Sequence, residues 1–512
     1  MDTPSSRARV IQRIPLVLLA VWLVGLAVWT AGFPWVWDDR ALVDPEGLPG
    51  TAESLRIAWT EDFWHLAVDD AVKDSGMYRP VVHSTYIAER ILGGGPGLGH
   101  VVNVGLHGLV ALLAGLLALQ LGGPLWLAAG LVLVHPYAAE AIANVTARTD
   151  PLAAAFLLGA LLAVVPRWTA SFGGVGLGRG ALSATLVLFA CLSKEVAFVA
   201  PALFAAVAWA ARVPIRDLAR AAAPAITGAA AAFVLRSLAL DGGAPTAISP
   251  APMASLASMG WVFLDVLAPV QGHVGPWPPP RPHLPGLVGL GVTLALLGAW
   301  LKGGGRAPAA ALVWVLAAWL PMADWAGVGV RSSRALVYVP MVGFAVLLAA
   351  SVGRLRGEVR TRLSVGLALL IPIFAALQTR VVALWSSDLS LWERALTANP
   401  DAALPRINYA RAQAEAGNRE VARAVYEDAA RIATEQREHG LFEIAATSVA
   451  MLALTDGDLD TARAWYERAL AVVGPAGSPS AVRGLQAVRL LEERAKAPYT
   501  PAAPATPLPD EQ

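Results

Sequence analysis

The chain has 512 residues, of which 56% are hydrophobic and only 15% charged, with a formal net charge of +1 and a mean hydropathy of +0.55. Soluble globular domains carry roughly a quarter charged residues, so the composition argues against a purely soluble enzyme and for a polytopic membrane protein. A balanced charge gives no reason to expect nucleic acid. The single cysteine, Cys191, lies in an apolar run and rules out an internal disulfide or a Cys-based metal site.

Arg7, Arg9 and Arg13 precede an apolar run from Ile14 to Gly32, which reads as an uncleaved first helix. Further apolar segments lie near 101–121, 124–138, 151–166, 181–193, 195–211, 221–239, 285–301, 308–323, 335–351 and 363–381. With the first, they predict about 11 transmembrane helices in a helical bundle. With the N-terminus in the cytoplasm, the arginines at 167/179, 212/216/220 and 354/356/360/362 all fall on the cytoplasmic side. The opposite face then carries loops 33–100, 139–150 and 240–284 and everything after Thr379.

Unusual polar residues gather on that opposite face. Asp38 and Asp39 follow the first helix within FPWVWDDR, and a carboxylate there, partly buried beside a like charge, suits a general base. Tyr78 and Arg79 come next, then the helix carrying His100, Asn103 and His107, whose spacing serves polar packing between helices better than metal ligation. His135-Pro136 leads to Glu140, Arg148 and Asp150, and Lys194-Glu195 interrupts two apolar runs. Arg331 and Arg334 add a basic pair. Ionisable residues at membrane depth are expensive and mark functional sites or helix-fastening ion pairs. Arginines suit a phosphate and carboxylates suit an acceptor hydroxyl, a combination that fits a lipid-linked phosphosugar donor. The membrane part shows no internal repeat of the kind transporters carry.

Beyond Asp388 the chain turns polar, and Gly417, Ala422, Tyr426 and Ala429 recur as Gly457, Ala462, Tyr466 and Ala469, each shifted by 40 residues. The pattern resembles the tetratricopeptide repeat (TPR), a helical hairpin of about 34 residues that stacks into a binding solenoid. The expected organisation is a membrane domain over residues 1–384, TPR-like repeats over 385–494 and a disordered Pro/Ala-rich tail over 495–512.

Taken in order, WVWDDRALVD (35–44), YRPV (78–81), the His-x2-Asn-x3-His helix, HPYAAEAIANVTARTD (135–150), LSKE (192–195), RALVYVP (334–340) and WSSDLSLWERALTANP (385–400) resemble the transmembrane and TPR-repeat O-mannosyltransferases of the GT-C superfamily. The RALVYVP segment is one residue longer than its family counterpart and the TPR array is short. The resemblance implies an inverting transferase that takes a sugar, mannose by the family expectation, from a polyprenyl-phosphate donor. The acceptor would be a Ser/Thr hydroxyl of an extracytoplasmic protein or peptide presented by the TPR units. It assigns the base to Asp38 or Asp39 and lines the site with Tyr78, Arg79, Glu140, Asp150 and Glu195. Arg148, Lys194, Arg331 and Arg334 are the cations expected at the donor phosphate. A divalent cation assists some members, although no ligand set here demands one, and the implied location is a bacterial inner membrane with the site on the periplasmic side. The alternative is a non-enzymatic membrane scaffold or exporter component whose TPR units recruit a partner.

Overall fold

A computed structural model describes residues 6–43, 50–65, 76–170, 174–240, 252–267, 286–291, 305–322 and 337–496, together with positions 269, 294 and 298. Arg331, Arg334, most of the 240–284 loop and residues 497–512 lie outside the described residues. Every regular element among the described residues is a helix. In chain order these are α1 (Ser6–Thr30), α2 (Asp38–Leu42), α3 (Ala52–Thr60), α4 (Pro80–Ile91), α5 (Pro96–Gln120), α6 (Leu125–Leu133), α7 (Ala139–Ala143), α8 (Thr149–Ala170), α9 (Leu177–Cys191), α10 (Ala200–Ala210) and α11 (Leu218–Ala239). They continue with α12 (Pro252–Leu267), α13 (Arg306–Trp319), α14 (Tyr338–Arg354), α15 (Gly357–Leu384) and α16 (Asp388–Ala398). The last five are α17 (Ala403–Glu415), α18 (Arg419–Glu435), α19 (His439–Thr455), α20 (Leu459–Gly477) and α21 (Pro479–Lys496). The chain forms two compact units, Met1–Arg394 and Ala395–Gln512.

In the first unit four helices are long and apolar enough to cross a membrane: Pro96–Gln120, Val145–Thr169, Ile215–Ala239 and Gly357–Leu384. A fifth span arises if Leu125–Leu133 and Pro136–Ala143, bent by 57°, are one broken helix. Several other apolar segments expected to cross form shorter helices of 10–17 residues, among them Leu177–Cys191 and Tyr338–Arg354. Val145–Thr169 is the central helix, 72% buried in its apolar window, whereas Gly357–Leu384 is peripheral at 17%. The outward sides of α1, α11 and α15 expose Val17, Val21, Val28, Phe233, Leu369 and Ile373. An apolar exterior of that extent is stable only against hydrocarbon or another apolar surface.

The break between α6 and α7 leaves carbonyls that an intact helix would have bonded. Two buried side chains from other helices take them: His107 Nε2 lies 3.1 Å from Leu133 O, and Gln378 Nε2 donates to Leu133 O (2.8 Å) and His135 O (3.2 Å). Trp22 Nε1 in turn donates to Gln378 Oε1 at 3.1 Å, so α1, α5 and α15 all support the break. Close helix approach relies on glycine at Gly343 of α14, where a Cβ would overlap the Trp314 indole of α13. That indole donates to Val339 O at 2.9 Å.

In the second unit each helix packs on the next, and α17, α19 and α21 also touch alternately, giving two layers. The residues of the sequence repeat, Ala422, Tyr426, Ala429, Ala462, Tyr466 and Ala469, are all buried in one core. Gly417 and Gly457 occupy equivalent turns at φ +87° and +81°, where a side chain would be strained.

Gly343→Ala is expected to lower stability by about 1–3 kcal/mol, the usual cost of overpacking, because the Trp314 ring must leave its hydrogen bond. A detergent-solubilised thermal melt reads this, and an unchanged midpoint would count against the close α13–α14 contact.

Candidate functional site

Asp39 follows from a sharp turn after α1. Trp37 caps α2 with φ 54° and ψ −120°, the conformation of the first central residue of a type II′ turn, where glycine is usual. The turn places the Asp39 side chain at 0% exposure. Its carboxylate accepts from the backbone N–H groups of Thr146 (2.7 Å), Val145 (3.2 Å) and Val36 (3.4 Å). Burial pushes Asp39 up from its ordinary 3.8 to about 7, against the pull of those three donors. Asp38, one residue earlier in the first turn of α2, is half-buried.

The acceptor turn at 145–146 is built locally by Asn144, whose Oδ1 takes both the Thr146 N–H (3.1 Å) and its hydroxyl (2.6 Å). Around it stands Arg148, itself 0% exposed. Its five N–H donors go to Asn103 Oδ1 (2.7 Å), Thr85 Oγ1 (3.0 Å), Glu89 Oε1 and Oε2 (2.5 and 3.1 Å) and Gly99 O (3.1 Å). The guanidinium also lies over the Tyr86 ring at 4.9 Å. Arg148 was expected at a donor phosphate. Every N–H it owns is already bonded within the protein, so it holds α4, α5 and the 145–148 turn together instead.

A second set of ion pairs joins the 78–80 segment to α8 and the start of the 195–199 turn. Arg79 grips Glu195 through Nε (3.0 and 3.1 Å) and Nη2 (2.7 Å), with its guanidinium over Phe63 at 5.1 Å. Lys194 Nζ donates to Asp150 Oδ2 at 2.5 Å, both groups nearly buried. Phe63 stacks on His83 with ring centroids 4.6 Å apart, and burial together with the nearby Arg79 pushes His83 down to about 3, so it is neutral. Tyr86 lies within electrostatic reach of Asp39, Glu89, Arg148 and Arg79, which brings the two sets into one neighbourhood.

Of the residues expected at a site, Asp39, Arg79, Arg148, Asp150, Lys194 and Glu195 are thus gathered around α4, the turn before α8 and the turn after α9. Tyr78 donates its hydroxyl to Trp59 O at 2.8 Å and serves the first-loop core. Glu140 is half-buried in α7. His100 and His107 contact Pro34 O and the Tyr338 hydroxyl, and among the described residues no group of three His, Cys, Asp or Glu side chains is arranged to hold a metal. Sequence reasoning missed Glu89, Tyr86 and Asp388. Asp388 accepts the Trp37 N–H at 2.8 Å and pairs with Arg40 Nη2 at 2.8 Å. Its only signal was the WSSD segment at 385–388.

A cavity of about 320 Å³ opens between α6, α12, α13, α14 and α15, with an apolar wall that includes Leu131, Phe263, Met341, Leu348 and Phe374 and with His135 among its lining residues. Met341 is three residues beyond Tyr338, which lies within electrostatic reach of Asp150.

Two measurements check this geometry. Arg148→Met leaves Glu89 unpaired and should lose about 3–5 kcal/mol of stability, as when a buried pair is broken, and appear as a drop in membrane abundance; a normal level would refute the clamp. For Asp39 the folded chain holds the proton more tightly (about 7) than the unfolded chain (3.8). Its contribution to stability is therefore complete below about pH 4 and declines as the pH rises to about 7. The melting temperature of wild type minus that of Asp39→Asn should fall steadily over that window, and a flat difference would contradict the burial of this carboxyl.

Comparison with protein-family models, with curated proteins and with solved structures finds no match.

Proposed function

We propose that the chain is a membrane glycosyltransferase of the GT-C type. It moves a sugar, mannose by the resemblance of its motifs, from a polyprenyl-phosphate donor to a Ser/Thr hydroxyl of an extracytoplasmic protein, with inversion. The observation that carries the reading is one neighbourhood of carboxylates and cations, drawn from separate segments of an apolar helical unit, near an apolar cavity. A polyprenyl phosphate asks for that combination: cations for the phosphate and a hydrocarbon-lined space for the chain.

The resemblance leaves the general base to Asp38 or Asp39. Asp39 accepts the N–H groups of residues 145 and 146, and the role toward the acceptor hydroxyl is given to Asp38, half-buried in the first turn of α2. Lys194 has three N–H donors and a described bond to Asp150. Arg79 turns Nε and Nη2 to Glu195, which leaves Nη1 to bind the donor phosphate with Lys194. As the lipid phosphate departs with the bonding electrons of the sugar C–O bond, these cations stabilise its charge. In-line attack by the hydroxyl from the opposite face, its proton passing to Asp38, inverts the anomeric centre. Arg331 and Arg334 remain further candidates for the phosphate.

The shorter apolar helices of the first unit are further spans in this reading, tolerated because they pack against longer neighbours, and the expected span at 285–301, largely outside the described residues, brings the set to about eleven. The arginine distribution supports a cytoplasmic N-terminus in a bacterial inner membrane, with the site and the C-terminal unit on the periplasmic side. The repeat glycines and the buried Ala-Tyr-Ala triplets support a short TPR array, which would present the acceptor.

The test is transfer of labelled sugar from polyprenyl-phosphate mannose in isolated membranes. Asp38→Asn should cut turnover by about 10²–10⁴-fold at normal abundance, while Lys194→Met raises the donor KM. Wild-type turnover in Asp38→Asn would overturn the base assignment. Absence of transfer from mannose and other lipid-linked sugars by the wild type would favour the scaffold or exporter reading, in which the ion pairs only fasten helices.

A further inference from the structure

Asp38 and Asp39 stand on a turn that does not hold itself. Trp37, immediately before them, is one of three non-glycine residues at positive φ among the described residues. A bulky side chain is disfavoured there, so the conformation persists only if its surroundings enforce it. The enforcement comes from a segment some 350 residues away. Asp388, at the start of α16 and 4% exposed in its side chain, takes the Trp37 N–H on Oδ1 at 2.8 Å. Its Oδ2 pairs with Arg40, whose Nε reaches Trp35 O at 3.4 Å. The Trp37 ring meets Trp385 (centroids 6.3 Å) and stands edge-on to Trp392 (5.8 Å, 84°); both partners are buried.

We propose that Asp388 is the positioning residue for the carboxylate pair: it holds Trp37 in its left-handed conformation and ties down Arg40, so that Asp38 faces the acceptor hydroxyl. The inference rests on the transferase reading above and names what sets the geometry of its base. The grip is two-sided. Asp39 is anchored to residues 145–146, while Trp37 and Arg40 are anchored to Asp388. With Asp388 gone, Trp37 relaxes toward negative φ and the first turn of α2 rotates, carrying Asp38 with it.

The experiment compares wild type, Asp388→Ala and Asp388→Asn in two assays on the full-length chain in membranes or detergent. The first is sugar transfer from polyprenyl-phosphate mannose, with kcat and donor KM separated. The second is amide hydrogen exchange of peptides covering residues 33–43, which does not depend on activity. Asp388→Ala is expected to lose about 10²-fold in kcat, the scale of a small misplacement of a reacting group, with an unchanged donor KM and faster exchange in that peptide. Asp388→Asn keeps an oxygen for the Trp37 N–H and should recover most of the exchange protection and part of kcat. Normal kcat in Asp388→Ala, or exchange there that matches wild type, overturns the positioning role. A loss confined to protein abundance, with kcat per folded molecule intact, also overturns it. A wild type that transfers no lipid-linked sugar, whatever its exchange pattern, refutes the transferase reading itself and the positioning role with it.

Discussion

A guanidinium with no exposed surface must find an acceptor for each of its five N–H groups, because each one left unpaired forfeits its hydration. Arg148 meets that demand through Glu89, Thr85, Asn103 and Gly99, and the rest of the site depends on the result. The same Asn103 that accepts from Arg148 donates to Ala141 O and Asn144 O, which fixes the turn whose N–H groups at 145 and 146 hold Asp39. Satisfying one buried charge therefore places α4, α5, the 141–148 stretch and the first-loop turn relative to one another. A buried pair of this kind adds little net stability over an apolar replacement; what it contributes here is a defined geometry.

The turn at 36–40 stores strain that this geometry makes tolerable. A left-handed Trp37 costs about 1–3 kcal/mol, offset by the Asp388 hydrogen bond and by packing of the Trp37 indole against the buried Trp385 and Trp392. The strained residue stands immediately before Asp38 and Asp39. Asp39, raised to about 7, titrates near neutrality because the hydration it lost outweighs what three backbone donors return.

The broken helix α6–α7 obeys the same economy of hydrogen bonds. Apolar surroundings allow a helix to be interrupted only where other groups take its freed carbonyls. His107 and Gln378 do so, and the bend redirects the chain from an apolar run into the polar turns of the site. His135, beside the break, also lines the apolar cavity.

Much of the architecture was legible from sequence because it is written in short-range patterns. Apolar runs mark the helices, and the 40-residue offset of Gly, Ala, Tyr and Ala marks the C-terminal hairpins, since those residues recur wherever a turn and a helix crossing recur. Most of the buried ion-paired residues stood out in the sequence too, because charged groups inside apolar sequence are conspicuous. Their roles were not. Asp38 and Asp39 are adjacent and chemically identical, and only the arrival of residues 145–146 from the other side of α5 decides which one the backbone consumes. Arg148 and Glu89 lie 59 positions apart and Trp37 and Asp388 351 apart. Nothing in the local pattern of either pair points to its partner. Composition and periodicity determine that this chain is helical and apolar, with a polar repeat at its end. Which charges pair with one another is settled by long-range packing, because a donor's partner depends on every acceptor the fold brings within reach.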